Sequence, residues 1–367
     1  MNKIIWSSSQ ASTSLLFFLL QLTFLKSEAI NHMVQFSILF GIFNLYLLSI
    51  RRSFLESKDW SKENNPSTFL LACSCLYLLI CALLTLICSW DLRIALTITA
   101  LLYLQLLLDA ARFNNLNGQV FFVSTQICLS LSIAFTTYLN LSSISILSIV
   151  VLINFVFLII YRFLDLSIYT NQILNNHTVN WSRILDFLLV SGFGFLIPLI
   201  TLIVLDSLSV GILRTSQNTL SLSSFIVSSY YYSALQNRIT PVKFNISYTI
   251  PSIIMSIFLV FINYYPNRGL IEEFFGPYIY SSNILTGLLI IALVPTLWVL
   301  NLNVYIIKLK LYKFLINLHI CILLFLATST ILGYKIIGIN AFGIATILSS
   351  ILEVFILKKF IKAHNAY

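Results

Sequence analysis

The chain has 367 residues, of which 59% are hydrophobic and only 9% carry a charge, and its mean hydropathy is +0.95. A soluble domain typically carries about 25% charged residues, so this composition excludes a soluble globular protein and indicates an integral membrane protein. The net charge of +9 does not indicate nucleic-acid binding, because the basic residues are spread over the connections between apolar segments.

Twelve apolar segments, each about 20 residues long and able to cross a bilayer as a helix, follow one another along the chain. They lie near residues 4–25, 33–50, 67–89, 92–109, 119–138, 141–161, 184–205, 209–234, 244–264, 281–304, 312–332 and 337–357. The longest connections, 51–66 and 162–183, are too short for a soluble domain. The sequence therefore predicts an all-α polytopic membrane protein with twelve transmembrane helices.

The basic residues predict the orientation of these helices. If the N-terminus is cytoplasmic, 16 of the 21 Lys and Arg residues fall in cytoplasmic segments, which is the usual excess on that side of a membrane. We therefore predict that both termini are cytoplasmic. The six cysteines all lie within apolar segments, and none has the spacing of a metal site, so we predict neither a metal nor a cofactor.

A polar stripe opens the eighth segment. Arg214, Gln217 and Ser221 recur at steps of three and four residues, so they share one face of a helix. The remainder of this helix is rich in Leu, Ile, Val, Phe and Tyr, and a polar face on such a helix should line a wet cavity and not contact lipid. These three residues are candidates for substrate binding.

A weaker copy of this stretch occurs 180 residues earlier in the chain. With that shift, Ser224 and Tyr231 correspond to Asn44 and Arg51, which continue a similar stripe in the second segment. Arg51 is either part of this stripe or a cytoplasmic anchor at the helix end. The shift is close to half the chain length, so we predict two similar halves that face each other across a polar interior. Their predicted bounds are 1–162 for an N-terminal six-helix bundle, 163–183 for a cytoplasmic linker and 184–367 for a C-terminal six-helix bundle.

Other ionisable residues lie near the ends of apolar segments. Asp109 and Arg112 are three residues apart and share a helix face with Gln105. They form either a structural pair at the cytoplasmic interface or a substrate contact. Asp186, three residues after Arg183, is either functional or extends to the membrane surface.

Two ionisable residues occur in the last two segments. His319 is the only histidine inside a span, and it either titrates or is a hydrogen-bonded packing residue. Glu353 lies close in sequence to Lys358 and Lys359, which favours a structural role in which these lysines neutralise it. The sequence contains no phosphate loop, nucleophile elbow or zinc-protease motif, and we predict that the protein is not an enzyme.

Four stretches of the chain carry a family resemblance. They are Leu25 to Arg52, Leu107 to Phe113, Asp206 to Ser221, and Ile337 to Thr346. In their order and spacing, together with the twelve segments and the repeat, they resemble the lipid-linked oligosaccharide flippases, the Wzx-type exporters of the multidrug/oligosaccharidyl-lipid/polysaccharide superfamily. The chain departs from the family in its short length and in having Asn31 where the second-half counterpart is Gly211.

The resemblance implies a MATE-like arrangement of two six-helix bundles in a V around a central cavity, working by alternating access. The implied substrate is a polyprenyl-pyrophosphate-linked oligosaccharide, an O-antigen- or capsule-type repeat unit, moved across the bacterial cytoplasmic (inner) membrane. Arginine suits this substrate because it can bind a pyrophosphate through two hydrogen bonds. Arg112 is then expected to contact the pyrophosphate while Asp109 holds its side chain, and Arg214 to help to hold the pyrophosphate or the glycan.

Two alternatives remain open at the level of the sequence. One is a drug or cation exporter of the same superfamily, although that class expects acidic residues deep in the first bundle, and segments 1 and 2 have none in their interior. The other is a multi-span glycan polymerase or acyltransferase. The expected partners are membrane lipid and the lipid-linked oligosaccharide, with H+ or Na+ as the coupling ion, no nucleic acid, and a monomeric state.

Overall fold

The structure is a computed structural model that describes residues 3–25, 30–50, 66–114, 116–163, 206, 208–217, 219–220, 250–309 and 311–364, for some of which it describes the backbone alone. The chain divides into two compact units, Met1–Leu199 and Ile200–Tyr367. Nearly all of the predicted linker 163–183 lies outside the described residues, so the domain boundaries 1–162, 163–183 and 184–367 stay a prediction.

The first unit contains six described helices that agree closely with the first six predicted segments. They are α1 (Lys3–Leu25), α2 (Ile30–Ile50), α3 (Pro66–Ile87), α4 (Leu92–Asn114), α5 (Leu116–Tyr138) and α6 (Ser143–Phe163). Helix α4 packs against α2, α3, α5 and α6, and α1 packs mainly against α5. α4 is thus the central helix of this unit, and several of its residues between Ile94 and Leu108 are fully buried: Ile94, Ala95, Ile98, Leu101, Leu102, Leu106 and Leu108.

The described part of the second unit begins with helical residues at 208–217 and 219–220. It continues with α7 (Ile250–Tyr264), α8 (Arg268–Phe275), α9 (Asn283–Lys308), α10 (Tyr312–Ile337) and α11 (Asn340–His364). α11 packs against α9 and α10, and α9 also packs against α7. The sequence did not predict α8, whose start is capped by the Asn267 side chain accepting from the Leu270 N–H at 3.3 Å.

Six helices in the described ranges are long and apolar enough to cross a membrane: 92–109, 118–138, 143–161, 283–303, 312–337 and 340–363. Shorter apolar stretches occur within α1, α2 and α3, at 15–25, 32–44 and 74–87. The protein is therefore all-helical in its described part and has the character of a polytopic membrane protein. The total of twelve spans stays a prediction, and the seventh segment, 184–205, lies outside the described residues.

Stacked aromatic rings join α1 and α2. Phe24 stacks on Phe36 with 3.8 Å between the ring centroids, and Phe36, Phe40 and Phe43 continue the stack at 5.0 Å intervals. The Phe residues of α2 recur at steps of three and four, which places their rings on one helix face. The Tyr77 hydroxyl donates to the Leu39 carbonyl at 2.8 Å, so α3 is fixed to α2 by a hydrogen bond within the same core.

The turn between α3 and α4 is fixed from two sides. The Gln35 side chain of α2 accepts from the Asp91 N–H at 3.0 Å and donates to the Asp91 carbonyl. The Asp91 carboxylate caps α4 by accepting from the Arg93 N–H at 2.8 Å, and its second oxygen lies 2.8 Å from the Arg93 guanidinium. The hydrogen bonds from the Arg93 side chain hold the pKa of this carboxyl below its usual range.

Glycines allow the close packing of the last three helices. Gly338 ends α10 with a φ of 61°, a conformation that glycine adopts without steric cost. Gly343, one turn into α11, lies against Leu288 of α9, where a Cβ would come within 2.6 Å of the leucine Cβ. Both glycines belong to the stretch Ile337 to Thr346, so this motif has a direct packing role in the second unit.

We expect Gly343→Ala to destabilise the protein by about 1–3 kcal/mol, because the added methyl group forces α9 and α11 apart. Gly287→Ala is the matched control, since a Cβ at that helical position meets nothing within 4 Å. Alanine there should instead stabilise the helix by about 0.5–1 kcal/mol. Unfolding of the purified protein in mixed micelles, titrated with dodecyl sulfate, measures both changes, and equal effects of the two substitutions would contradict the close contact at Gly343.

Candidate functional site

Three polar side chains from three different membrane-spanning helices meet in the second unit. Asn303 lies on α9, His319 on α10 and Glu353 on α11, and each is less than 10% exposed. The His319 Nε2 atom lies 3.1 Å from Glu353 Oε1 and 3.3 Å from Asn303 Nδ2. The Asn303 Nδ2 group also donates to Glu353 Oε1 at 3.5 Å. We call this cluster the buried triad.

Apolar side chains surround the buried triad on each helix. Asn303 is flanked by Leu302 and Ile306, which belong to one core cluster shared by α9, α10 and α11. The members of this cluster on the other two helices are Leu315, Leu318, Val354, Leu357 and Ile361. The triad is thus enclosed by hydrocarbon, where an ionised group without a partner costs several kcal/mol.

Glu353 is paired with His319 and not with the nearby lysines. The Lys358 ammonium lies over the Trp298 ring, 3.4 Å from its centroid, in a cation–π contact. Lys359 is exposed. The prediction that these lysines neutralise Glu353 is therefore wrong, because Glu353 pairs with His319 while Lys358 contacts an indole ring.

A second buried polar network occurs in the first unit, between α4, α5 and α6. Gln126 Nε2 donates to Gln105 Oε1, and Gln105 Nε2 donates to Asn154 Oδ1, both at 3.1 Å. All three amides are at most 1% exposed. Asp109 lies one turn after Gln105 on α4 and is only 2% exposed, so the face predicted from the spacing of Gln105 and Asp109 is directed into the helix bundle.

Arg214 and Gln217 are brought together as the sequence predicted. Arg214 is 6% exposed, and its Nη1 group donates to Gln217 Oε1 at 3.0 Å. The helical residues 208–217 pack closely on the turn before α9, because a Cβ at Gly211 would lie only 3.0 Å from the Tyr278 ring. The Arg214 guanidinium is therefore directed into the protein.

The start of this helical stretch is held by a carboxylate. Asp206 Oδ1 accepts from the Ser209 N–H at 2.6 Å, and Asp206 Oδ2 accepts from the Tyr334 hydroxyl at 3.3 Å. The hydrogen bond from the Ser209 backbone lowers the pKa of the Asp206 carboxyl. Asp206 therefore keeps its charge to a lower pH than a free aspartate, and the cap is lost only as the pH falls below its usual range.

The other candidate residues divide into two groups. Asn44 is buried in α2, where its Nδ2 group donates to the Phe40 carbonyl of its own helix at 3.0 Å. Arg112 lies in α4, but its side chain is outside the described residues, as are Arg51, Asp186 and Ser221 entirely. The predicted contact between Asp109 and Arg112 therefore stays a prediction.

Sequence spacing did not reveal the buried triad. Its members are 16 and 34 residues apart along the chain, and local periodicity relates only positions on one helix. The available signal was the presence of ionisable residues inside apolar segments, which is expensive and commonly functional. His319 and Glu353 carried that signal separately, and Asn303 carried none.

The buried pair of His319 and Glu353 should behave as a coupled unit in stability measurements. Glu353→Leu leaves the imidazole without its anionic partner and should cost about 3–5 kcal/mol, whereas His319→Leu with Glu353→Leu should recover most of this loss. Glu272→Leu, at an exposed acid of α8, is the control and should change little. Dodecyl sulfate titration measures all variants, and a double variant that loses the sum of the two single losses would contradict the coupling.

The described residues contain no group of three or more His, Cys, Asp or Glu side chains that could hold a metal ion. Comparisons with protein-family models, curated proteins and solved structures found no match for this chain. The resemblance to the flippases therefore rests on those four stretches of sequence. The chemistry of the site follows from its own geometry.

Proposed function

We propose that the protein is a transporter that flips a polyprenyl-pyrophosphate-linked oligosaccharide across the bacterial inner membrane by alternating access. The observation that carries this proposal is the burial of Arg214, a permanently charged side chain, beside Gln217 in a stretch whose small polar residues Thr215 and Ser216 are also buried. Ionisable residues held inside membrane-spanning bundles commonly mark the path of a substrate or ion. A lipid-linked pyrophosphate is an anion that needs such a cation on its way through the membrane.

The remaining parts of the proposal come from the sequence. The four family-like stretches support the oligosaccharide substrate, and the repeat supports two six-helix bundles and twelve spans. The excess of basic residues on one side supports two cytoplasmic termini. In this proposal the protein is monomeric and not an enzyme, because its residues bind and release the lipid and break no bond in it.

The orientation of Arg214 gives it a specific part in this transport. Its guanidinium has several N–H donors in one plane, and its Nη1 group donates to Gln217 Oε1. Gln217 fixes the plane of the guanidinium, since a hydrogen bond to a side-chain oxygen restricts rotation. A planar cation oriented in advance binds a phosphate with less loss of side-chain entropy than a flexible lysine does.

Arg214→Ala should reduce flipping at least tenfold, the effect of losing about one charge-assisted hydrogen bond. Arg214→Lys keeps the charge but not the planar geometry, so we expect a partial loss. The substrate is a fluorescently labelled short-chain polyprenyl pyrophosphate bearing a disaccharide, reconstituted with the purified chain into liposomes. Quenching of the label by dithionite added outside reports how fast the lipid changes leaflet.

Arg268→Ala is the matched control for that experiment. Arg268 is exposed, belongs to the same unit, and lies 5.3 Å from the centroid of the Tyr280 ring. This control should flip the lipid at the wild-type rate. Wild-type flipping by Arg214→Ala, at equal amounts of monodisperse protein, would remove Arg214 from the substrate path.

The second testable site is the cytoplasmic end of α4. We propose that Arg112 contacts the pyrophosphate while Asp109, which is 2% exposed, holds its side chain. Asp109→Arg, Arg112→Asp and the double swap should all lose flipping at normal protein levels, because the swap moves the positive charge by about one helical turn. A structural pair would tolerate the double swap, so recovery of flipping in that variant would reduce the pair to a scaffold contact.

One observation favours a second candidate function, a drug or cation exporter of the same superfamily. Such an exporter needs an acidic residue within the first bundle to attract a cation, and Asp109 is buried there. The liposome assay separates the two functions. Efflux of a lipophilic dye cation that Asp109→Asn abolishes, without any movement of the labelled lipid, would establish the exporter.

A further inference from the structure

We infer that the buried triad of Asn303, His319 and Glu353 is a proton-binding site that couples transport to the proton gradient across the membrane. This inference rests on the proposed transport function and names its coupling ion. It depends on the geometry of the three side chains, on an acceptor atom that the triad leaves unused, and on the absence of a competing buried charge on the described side chains around it.

The location of the triad suits proton exchange with water at one end of the bundle. His319 is seven residues into α10 from Tyr312, about 10 Å along the helix axis. Asn303 is five residues from the end of α9 at Lys308, about 8 Å. The triad therefore lies inside the apolar part of the helices, yet within a short distance of the end that carries the lysine residues.

The contacts of the triad allow it to hold one proton more or one proton fewer. In the deprotonated state, Glu353 is a carboxylate that accepts from His319 Nε2–H at 3.1 Å and from Asn303 Nδ2–H at 3.5 Å. A proton that enters from water is shared by the carboxyl and imidazole groups, and it changes the charge of the pair from −1 to zero. The added proton belongs to the pair and not to one residue.

Asn303 provides an atom that only the protonated state uses. Its Oδ1 atom is buried and has no hydrogen-bond partner in the described structure. A half-turn of the amide exchanges Oδ1 with Nδ2, which places an acceptor 3.5 Å from Glu353 Oε1 and 3.3 Å from His319 Nε2. When the added proton sits on the carboxyl group, its O–H can donate to the turned amide oxygen while His319 Nε2–H still donates to the carboxyl oxygen, so proton uptake gives Asn303 Oδ1 the partner that it lacks before.

The ligand set favours a proton over a metal cation. Hard cations such as Ca²⁺ and Mg²⁺ take six or more oxygen ligands, whereas the triad offers a carboxylate, one amide oxygen and an imidazole nitrogen. Imidazole is the side chain whose ordinary titration lies closest to neutral pH. Asn, His and Glu in mutual contact thus match a proton site better than a site for Na+.

No other described charged side chain is directed into the triad. On α9, Lys308 lies at the helix end, and its side chain is outside the described residues. α7, which also packs on α9, contains no Asp, Glu, Lys, Arg or His. The lysines of α10 and α11 whose side chains the structure describes are all exposed: Lys313, Lys335, Lys358, Lys359 and Lys362. Among the side chains that the structure describes on these helices, the charge of the triad therefore comes from His319 and Glu353.

The first test detects the proton site without any substrate. Histidine labelled with 15N in the purified full-length chain, reconstituted in lipid, gives signals from four residues, and His319→Gln identifies the signal of His319. We expect this signal to titrate between about pH 5 and 9. In Glu353→Gln its midpoint should move to lower pH, by at least one unit, because the carboxylate favours the charged imidazole.

Two controls accompany this titration. Glu272→Gln makes the same chemical change at an exposed acid of the same unit and should leave the midpoint of His319 in place. The signal of His32, which lies in α2, should be unchanged by Glu353→Gln. A His319 signal that does not titrate over this range, or that Glu353→Gln leaves unmoved, would overturn the inference.

The second test measures coupling in the liposomes that carry the labelled pyrophosphate lipid. A stoichiometry of one proton per lipid predicts that one unit of pH difference changes the steady-state ratio between the two leaflets by about tenfold. In Glu353→Gln the ratio between the leaflets should not respond to the pH difference. A wild-type ratio that ignores the pH difference would also overturn the inference.

A tenfold Na+ gradient at equal pH on both sides separates the two ions. It should leave the wild-type ratio unchanged, and a Na+-driven change that Glu353→Gln abolishes would replace the proton by sodium. The two tests also separate this inference from the proposed function. If His319 titrates with Glu353 but the labelled lipid never crosses, the flippase function is wrong and the proton site stands.

Discussion

Every polar group in the hydrocarbon part of a membrane needs a partner within the protein, and this constraint determines how the described helices use their polar residues. Many of the described Ser and Thr hydroxyls meet it locally by donating to a carbonyl three or four residues earlier in their own helix. Examples are Thr99 to Ala95 at 2.7 Å and Thr286 to Ser282 at 2.8 Å. Several amide and ionisable side chains instead reach across to other helices, as Gln105 does to Asn154 and His319 to Glu353.

The described part of each unit contains such a network between helices. Gln105, Gln126 and Asn154 join α4, α5 and α6, and the buried triad joins α9, α10 and α11. A shift of 180 residues would move the first network to Leu285, Ile306 and Tyr334, none of which belongs to the triad. The two networks therefore do not correspond under the proposed repeat, and the first contains only neutral amides whereas the second can change its charge.

The sequence predicted the described helices well, because the length of an apolar segment and the charged residues at its ends can be read from consecutive residues. The predicted segment 92–109 and the helix Leu92–Asn114 begin at the same residue. The shared helix face of Arg214 and Gln217 followed from helical spacing in the same way, although their hydrogen bond to each other was not predicted. By contrast, the contact of Asn303 with His319 and Glu353 depends on how three helices pack against each other. The contact of Lys358 with the Trp298 ring depends on side-chain rotamers, which residue spacing does not predict.

The close contact between Gly343 and Leu288 gives α9 and α11 a fixed point near one end of their interface. Glu353 lies ten residues further along α11, about 15 Å from this point. A rotation of about 5° around it would displace Glu353 by roughly 1 Å, enough to lengthen a 3.1 Å hydrogen bond beyond useful range. Because Gly343 and Leu288 hold the two helices together at this point, a small tilt of α11 against α9 would open or close the polar cluster at the other end of their interface.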